Sequence, residues 1–376
     1  MSSPADRDLA AEYRHEFPVT ERLTYLNHAA VAPLSRRCAD AMKELADDVL
    51  FNGSFHYERW MECYEGFRVS AARLVNGHRD EIAIVKNTSE GIATVALGLD
   101  WKPGDKIVAF REEFPANFFP WLRLEARGVH IEWLSIQDSL DKIDEAARGA
   151  KLLAISYVQY LSGYRANLQA IGEICHRHGC FFFVDAIQGL GVFPLDVRAC
   201  RIHALAADGH KWLLGPEGCG LLYVSQEWQD RIEPVEFGWT NIAGYNDYAC
   251  RDMALRPDAG RYECGTLNTI SIYGLRAAID LLLEVGIAQV GAAVLASADR
   301  LAAGAAAKGY EIMAQRTPET GSGIVAIRKP GQDSRMTVSE LRRNQITAAP
   351  RQGWARLSPH FYVSAKEIER VIDVLP

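Results

Sequence analysis

The alternation of short apolar runs with segments of helical periodicity, which starts near residue 81, restricts the fold of this chain more than any other feature. The runs are rich in β-branched and aromatic residues, as in strands that are buried on both faces of a sheet. Because strands that are joined through helices pair in parallel, the pattern predicts an α/β fold with a mostly parallel sheet. The predicted strands are 81–85, 106–110, 129–134, 151–158, 181–185, 203–208 and 220–224, and the helices predicted between them are 88–98, 116–127, 139–148 and 168–178.

The pattern changes beyond about residue 270. Two long segments rich in Ala and Leu, ISIYGLRAAIDLLLEVG and IAQVGAAVLASADRLAAGAAAKG, have helical periodicity. They are followed by the short strand-like runs GIVAIRK and WARLS and by a last amphipathic segment, AKEIERVIDVL. This order of elements predicts a smaller α+β domain at the C-terminal end.

The overall charge favours a small-molecule partner. The formal net charge is −7 and the pI is about 5.9, whereas nucleic acids and anionic membranes are bound by surfaces with an excess of Lys and Arg. The N-terminal segment MSSPADRDLAAEYRHEF mixes both charges and lacks the apolar core of a signal peptide. The sequence also lacks an uninterrupted apolar run of about 20 residues. We therefore expect a cytoplasmic protein that binds neither nucleic acid nor membrane.

The eight cysteines are spread along the chain without the spacing of a disulfide-rich scaffold, so we expect reduced thiols. Cys175 and Cys180 flank two histidines in a spacing that could suggest a metal site. Gly179, however, is a natural cap between the predicted helix IGEICHRH and the strand FFFVD. The simpler interpretation is a helix end, and we expect no metal.

Polar residues that directly follow the predicted strands are the first candidates for a site, because ligands of open α/β sheets bind beyond the carboxyl ends of the strands. The segment KNTSEG, at 86–91, follows one strand and opens a helix, which suits a phosphate group. An ordinary capping box at Thr88 or Ser89 is the alternative. Asp185 ends the apolar strand FFFVD, where a carboxylate needs a cation or good donors to offset its desolvation.

Two further strand ends carry Lys211 and Gln159. A lysine beside an apolar pocket has a lowered pKa and becomes an amine suited to Schiff-base chemistry, although Lys211 could also bind phosphate or lie at the surface. Gln159 could donate to a ring hydroxyl or phenolate. The glycine-rich segment 215–220 leads into a strand instead of leaving one, so it matches neither a P-loop nor a dinucleotide-binding fingerprint.

Taken in order along the chain, these motifs resemble the class V aminotransferase family, which comprises pyridoxal phosphate enzymes of fold type I. The resemblance is strongest to the branch of isopenicillin N epimerase-like and selenocysteine lyase or cysteine desulfurase-like proteins. It covers nearly the whole chain through the segments YLNHAAVAPLS, NTSEGI, EFPANFFPW, SYVQYLSGYRANL, VDAIQG, DGHKW, RYECGTLN and ARLSPHFYVSAKEIE.

The resemblance implies a large pyridoxal phosphate-binding domain at 25–265, with a mostly parallel seven-stranded sheet flanked by helices. It also implies a small α+β domain at 266–376, with the segment 1–24 packed against it.

The resemblance also implies roles for the residues at the strand ends. Lys211 matches the catalytic lysine that forms the Schiff base with pyridoxal 5'-phosphate. Asp185 matches the aspartate that keeps the pyridinium nitrogen protonated, so that the ring can act as an electron sink. The remaining matches to cofactor-binding positions are Thr88, Ser89 and His210 at the phosphate, Gln159 and Gln188 at the ring oxygen, and Phe114 stacked on the ring.

Other matches concern the substrate and a second subunit. Arg356 matches the arginine that binds the α-carboxylate of an amino-acid substrate with its bidentate fork. Asn27, His28 and Ala29 are expected to line the substrate pocket. Thr266 resembles the residue that reaches the cofactor phosphate of the neighbouring subunit, which implies a homodimer.

The shared residues leave the reaction open. The leading hypothesis is a lyase that carries out β-elimination at a C–S bond, or an aminotransferase, and an amino-acid epimerase is the alternative. The resemblance implies that a cysteine desulfurase carries its catalytic cysteine in a loop shortly before the arginine. The corresponding segment here, 346–356, is short and contains no cysteine, so a persulfide-forming cysteine desulfurase is disfavoured. A catalytically silent homologue is also an alternative, but Lys211 and Asp185 are both present.

Overall fold

A computed structural model describes residues 7–376 and confirms the fold class, with a central seven-stranded, mostly parallel sheet. The helices are α1 Leu9–Tyr13, α2 Arg36–Asn52, α3 Tyr57–Val75, α4 Thr88–Gly98, α5 Phe119–Leu122, α6 Leu140–Ala147, α7 Leu168–His178, α8 Gln226–Gln229, α9 Thr269–Val285, α10 Ile287–Ala307, α11 Ser334–Arg343 and α12 Ala365–Val374. The strands are β1 Thr24–Tyr25, β2 Ile82–Val85, β3 Lys106–Phe110, β4 His130–Leu134, β5 Leu152–Ser156, β6 Phe181–Asp185, β7 Ala204–Asp208, β8 Gly220–Val224, β9 Glu311–Ile312, β10 Val325–Arg328, β11 Ile346–Thr347, β12 Ala349–Arg351 and β13 Trp354–Leu357.

The order of strands in the large sheet is β2-β8-β7-β6-β5-β3-β4. Strand β8 runs antiparallel to both of its neighbours, and the other adjacent pairs are parallel. Because two antiparallel pairings restore the original direction, β2 runs parallel to β7. The carboxyl ends of β2, β7, β6, β5 and β3 therefore meet at the same edge of the sheet, which is where ligands of such sheets bind.

The sheet is buried on both faces. Along β6, Phe182 and Val184 belong to one apolar cluster, and Phe181 and Phe183 belong to the cluster on the opposite face. This alternation follows from the period of two of a strand. It explains why the strands consist of continuous apolar runs in the sequence.

The helix predicted at 116–127 is wrong as a single element. The chain forms a 3₁₀ turn at Pro115–Asn117, the short helix α5 and a second 3₁₀ segment at Arg123–Arg127. Pro115 and Pro120 lack the backbone N–H that a continuous α-helix needs at interior positions. The resulting irregular segment begins directly after Phe114, next to the candidate site.

A second, four-stranded antiparallel sheet with the order β12-β13-β10-β9 lies in the C-terminal part. The N-terminal residue Phe17 stacks on Tyr362, with ring centroids 3.7 Å apart, and Tyr13 contacts Phe361 edge to face. Helix α9 packs on α2 and α3 across the predicted boundary at residue 265. The division into 1–24, 25–265 and 266–376 remains a prediction, and residues 1–6 lie outside the described part.

Within residues 7–376, one helix, α10, has the length and apolar composition that could cross a membrane. Its buried residues include Val290, Val294, Ala298 and Leu301, which recur at helical spacing on one side. That side packs against α9, α12 and the small sheet. Core helices of ordinary globular domains pass the same test of length and composition, and α10 has such a core position.

We predict that Gly91→Ala destabilises the protein. A Cβ atom at Gly91, in the first turns of α4, would lie 2.6 Å from the Cβ atom of Ala206 on β7, so the helix would have to move off the sheet. We expect a loss of about 1–3 kcal/mol, measured by urea unfolding.

The control is Gly66→Ala in α3, where the nearest atoms belong to the flexible guanidinium of Arg276. This change should be neutral or stabilise by up to about 1 kcal/mol. Equal effects of the two substitutions would show that the contact between α4 and β7 is not close-packed.

Candidate active site

A cavity of about 420 Å³ opens at the carboxyl edge of the large sheet. Its size is in the range of small-molecule and cofactor sites. It is lined by Ala29, Ala30, Val31, Asn87, Thr88, Ser89, Phe114, Ala116, Tyr160, Asp185, Ile187, Gln188, Asp208, His210, Lys211, Arg351 and Arg356. The cavity thus unites nine of the residues that the sequence analysis selects. They lie at or after the ends of five strands, β1, β2, β3, β6 and β7, and on β13.

The N-terminus of α4 forms one wall of the cavity. Asn87 is the N-cap, and its side chain accepts a hydrogen bond from Glu90 N at 2.9 Å. The capping alternative therefore applies to Asn87, and Thr88 and Ser89 line the cavity instead. Thr88 Oγ1 accepts a hydrogen bond from Asp208 N at 3.0 Å, which fixes the helix end to the end of β7. The positive end of the helix dipole makes this wall suitable for an anion.

Asp185 is the last residue of β6, and its carboxyl group is buried. Burial raises the pKa of Asp185 to about 6, and the hydrogen bond from Ile187 N and the positive charge of Lys211 partly oppose this shift. The distance from Ile187 N to Asp185 Oδ1 is 3.1 Å. A buried carboxylate with one backbone donor still requires a cationic or strongly donating partner.

Lys211 extends from a tight loop after β7. The loop is held by hydrogen bonds from Gly209 N to Cys219 O at 2.9 Å and from Ala32 N to the carbonyl of His210 at 2.7 Å. The pKa of Lys211 is lowered to about 8, mainly by burial; Asp185 opposes this shift, and Arg356 and Arg351 contribute to it. Lys211 Nζ lies 5.6 Å from the centroid of the Phe114 ring. The lysine therefore loses its proton more readily than an exposed lysine, which suits it to react as an amine.

The residues on either side of Lys211 have different environments. His210 Nδ1 lies 2.9 Å from Asp208 Oδ1 at the cavity wall. Trp212 is buried, and its Nε1 donates to Gln188 Oε1 at 2.8 Å. Gln188 Nε2 in turn donates to Ala29 O at 3.0 Å. Gln188 lines the cavity, but its amide oxygen is already used to tie the lysine loop to the segment around Ala29.

Gln159 does not line the Lys211 cavity. Its Nε2 donates to Glu112 O at 2.6 Å, and its Oε1 accepts hydrogen bonds from the backbone N–H groups of Leu161 and Ser162. The side chain instead borders a neighbouring cavity of about 510 Å³. The reason is the turn that follows β5, whose unpaired N–H groups Gln159 satisfies.

Of the three N-terminal residues predicted to line the pocket, Ala29 lines the cavity, and Asn27 and His28 are not among its lining residues. His28 is fully buried, with Nδ1 2.8 Å from Ser358 O and Nε2 2.7 Å from the Tyr362 hydroxyl. Burial lowers the pKa of His28 well below its usual range, and nearby His360 adds to this shift. Asn27 forms a parallel bridge with Ser358 that directs this segment into the core.

Arg356 lies on β13 and is buried at the cavity. Its Nη1 donates to Tyr160 O at 2.6 Å, and its buried Nε has no partner among the described residues. Burial lowers the pKa of Arg356 to about 10, and the positive charge of Arg351 adds to the shift. A buried guanidinium with an unused N–H group is suited to a carboxylate ligand.

Sequence reasoning missed Glu113, Arg351 and Tyr160. Glu113 is buried beside the end of β5, where Ser156 N donates to its Oε1 at 2.6 Å and the Ser156 hydroxyl donates to Oε2. Ser156 is the register partner of Asp185. Burial raises the pKa of Glu113 to about 7, the charge of Asp185 adds to the shift, and the Ser156 donors oppose it. The only signal in the sequence was a carboxylate directly before Phe114.

Thr266 does not line the Lys211 cavity. It is exposed and borders two other cavities, together with Gly265 and Leu267. One of these cavities is also lined by Lys86 and Glu90 at the start of α4, on the side away from Lys211. The role predicted for it toward a neighbouring subunit stays a prediction.

The residues that line the cavity fit pyridoxal phosphate. The N-terminus of α4 with Thr88 and Ser89 suits a phosphate group, buried Asp185 lacks the cation that a pyridinium nitrogen would supply, and the amine of Lys211 suits an aldehyde. Phe114 offers a ring face beside Lys211. These are four different chemical requirements of one cofactor, and the cavity meets all of them.

Comparison with known proteins agrees with this geometry. The family model for aminotransferase class-V matches residues 24–370. The chain is 29% identical to an aminotransferase of Bacillus subtilis, YcbU, which is named as uncharacterized, with 97% of each chain covered. It is also 29% identical to a probable cysteine desulfurase of Pyrococcus abyssi, with 97% of this chain and 96% of that protein covered. The structure of the cysteine desulfurase from Thermococcus onnurineus superimposes with a TM-score of 0.90 at 26% identity, covering 100% of this chain and 98% of that one.

The fold and the site thus define an enzyme of fold type I that uses pyridoxal phosphate. The chain belongs to the class V aminotransferase family. The predicted family, cofactor and fold type, and the general activity of a lyase or aminotransferase, are confirmed at this level.

We predict that Glu113→Gln changes the pH dependence of stability. The folded protein holds a proton on Glu113 up to about pH 7, whereas an unfolded glutamate loses it near 4.5. Stability should therefore fall as the pH rises through this window, by up to about 3 kcal/mol. The variant should be more stable than the wild type at pH 8, and the difference should shrink toward pH 5 in urea unfolding.

The matched control is Glu112→Gln, which changes the neighbouring exposed carboxyl group. It should not reproduce the gain in stability that Glu113→Gln gives at pH 8. If the Glu113→Gln variant showed the same pH dependence of the free energy of unfolding as the wild type, the conclusion that burial raises the pKa of Glu113 would be wrong.

Proposed function

We propose that the protein uses pyridoxal 5'-phosphate, bound through Lys211, to act on an α-amino acid as a lyase at Cβ, with a C–S bond as the leading case, or as an aminotransferase. The observation that carries the proposal is the Lys211 cavity, which combines an amine of lowered pKa, a buried aspartate and a buried arginine. When bound, the cofactor supplies an electron sink for the bond that breaks at Cα.

Each side chain has one task in this proposal. Arg356 binds the α-carboxylate and so orients the amino acid. Asp185 holds a proton at the ring nitrogen. Lys211 lines the cavity with a lowered pKa, so it is the base that removes and returns protons. The names of the relatives, an aminotransferase and cysteine desulfurases, support these reactions over the epimerase alternative.

The proposed lyase does not use a protein thiol in its own subunit. Among residues 7–376 no cysteine lines the Lys211 cavity. Cys264 borders a separate cavity, with its Sγ 3.4 Å from Glu236 Oε2. A reaction that leaves sulfur on a protein cysteine therefore lacks an acceptor here, whereas release of a small thiol or transfer of an amino group needs none.

We predict that the purified protein is yellow with pyridoxal phosphate and that Lys211→Ala abolishes the visible absorbance band. Borohydride should fix the cofactor on a peptide containing Lys211 in the wild type, as detected by mass spectrometry. Protein that stays colourless after incubation with the cofactor would refute the proposal.

Analysis of the products then distinguishes the possible reactions. The holoenzyme is mixed with amino acids and thioethers, and pyruvate, ammonia, free thiol and exchange of the Cα hydrogen with deuterium are followed. Pyruvate with ammonia and thiol identifies the lyase, and a keto acid that requires an acceptor identifies the aminotransferase. Exchange without any keto acid would instead identify the epimerase, and no reaction or exchange with a yellow protein would favour the silent homologue.

We further propose a homodimer in which Thr266 contacts the cofactor phosphate of the neighbouring subunit. Support comes from its exposure outside its own cavity. Several large apolar side chains are exposed in the same region, including Phe237, Trp239 and Tyr248. Burial of such groups on association is favourable.

We predict that Thr266→Ala lowers cofactor affinity and that hybrids with Lys211→Ala subunits restore it at one site. If Thr266 acts across the interface, the Thr266→Ala subunit receives an intact threonine from its partner. Sedimentation should show a dimer, and cofactor titration of the hybrids gives the affinity. Hybrids that retain only the weakened affinity would place Thr266 outside the partner's site.

We also propose that the protein acts in the cytoplasm. All eight cysteines are free thiols, which favours a reducing compartment.

A further inference from the structure

The cavity contains a second arginine that the binding of one carboxylate does not require. Arg351 ends β12, and Arg356 lies on the adjacent strand β13, where it is the register partner of Ala349. Side chains opposite each other and two residues apart share one face of an antiparallel pair, so both arginines project from the same face of the hairpin. Both line the Lys211 cavity.

The position of Arg351 is fixed by a tight turn. Gln352 and Gly353 have positive φ angles of 46° and 84°, which is the geometry of a two-residue hairpin loop. Gln352 Nε2 donates to the Tyr160 hydroxyl at 2.8 Å, and Arg356 donates to the carbonyl of the same tyrosine. The tip of the hairpin is thus tied to Tyr160, so Arg351 is held at the mouth of the cavity.

Neither arginine has an acidic partner. Among residues 7–376 no carboxylate forms an ion pair with Arg351 or Arg356, and the one side-chain hydrogen bond of Arg351 goes to Pro350 O at 3.1 Å. Burial is the main cause of the lowered pKa values of Arg356 and Lys211, and the positive charges of the neighbouring arginines add to both shifts, so the three cations repel one another. A ligand with two negative charges would relieve this repulsion, whereas the α-carboxylate of a neutral amino acid relieves only part of it.

We infer that Arg351 is a specificity-determining residue and that the substrate is an α-amino acid whose side chain carries a second anionic group. Arg356 binds the α-carboxylate, and Arg351 binds the side-chain anion at the mouth of the cavity. The inference rests on the proposed function, because it takes the α-carboxylate of an amino acid as the ligand of Arg356. Charge-assisted hydrogen bonds to arginine provide the discrimination between an acidic side chain and its neutral amide.

The test uses two probes that cannot react, succinate and its half-amide succinamate. Their binding to the pyridoxal phosphate-loaded protein is measured by calorimetry. The wild type should bind succinate at least about tenfold more tightly than succinamate, the loss expected for one charge-assisted hydrogen bond. Arg351→Gln should abolish this preference and bind both probes as weakly as the wild type binds succinamate, and Arg351→Lys should restore part of it.

Two further variants complete the test. Arg356→Gln should weaken the binding of both probes, because both carry the carboxylate that Arg356 is proposed to bind. Arg335→Gln removes an exposed arginine of α11 outside the cavity and should change neither affinity, which controls for net charge. Equal affinities of the wild type for the two probes, or an equal loss of both in Arg351→Gln, would overturn the inference and make Arg351 part of the α-carboxylate site.

The outcome is independent of catalysis, because neither probe has an amino group. A succinate preference that depends on Arg351, in a protein that turns over no amino acid, would leave the anion site intact and refute the proposed function. Turnover that depends on Lys211, without any preference for acidic ligands, would refute only the inference about Arg351.

Discussion

Lys211 and Asp185 are two ionisable side chains that the fold encloses at one edge of a sheet without joining them in an ion pair. Burial moves the pKa of the lysine down to about 8 and that of the aspartate up to about 6, so the charged form of each is costly without a ligand. A cofactor that brings a cationic ring nitrogen to the aspartate and an aldehyde to the lysine removes both costs at once. The stability of the site and its chemistry thus depend on the same unpaired groups.

The arrangement requires a rigid support behind the lysine, because a loop that relaxed would let Lys211 reach solvent. Trp212 packs beside His28 and His360, with ring centroids 6.1 and 5.6 Å away. His360 Nε2 lies 3.1 Å from Trp212 O, so the C-terminal segment holds the backbone of the lysine loop. Burial lowers the pKa of His360 to about 4, which keeps this support neutral over the working range of pH.

The fold was largely predictable because each strand is an apolar run with a polar residue at its carboxyl end, and because the order of the runs fixes which ends meet. The same reasoning located Lys211 and Asp185, and the family resemblance added Arg356. The same reasoning selected Gln159, whose side chain accepts hydrogen bonds from N–H groups of its own turn. No pattern in the sequence distinguishes this role from ligand binding.

Tertiary placement explains the other differences. His28 lies one residue from Ala29, which lines the cavity, but contacts with Ser358 O and the Tyr362 hydroxyl hold the His28 side chain in the core. Arg351 was missed because its role depends on the hairpin turn that follows it. A turn of only two residues between β12 and β13 leaves no room for a long loop carrying a thiol, and it brings a guanidinium to the cavity mouth in its place. This short segment, which holds no sulfur acceptor, is therefore also the feature that supplies the charge by which we propose the substrate is selected.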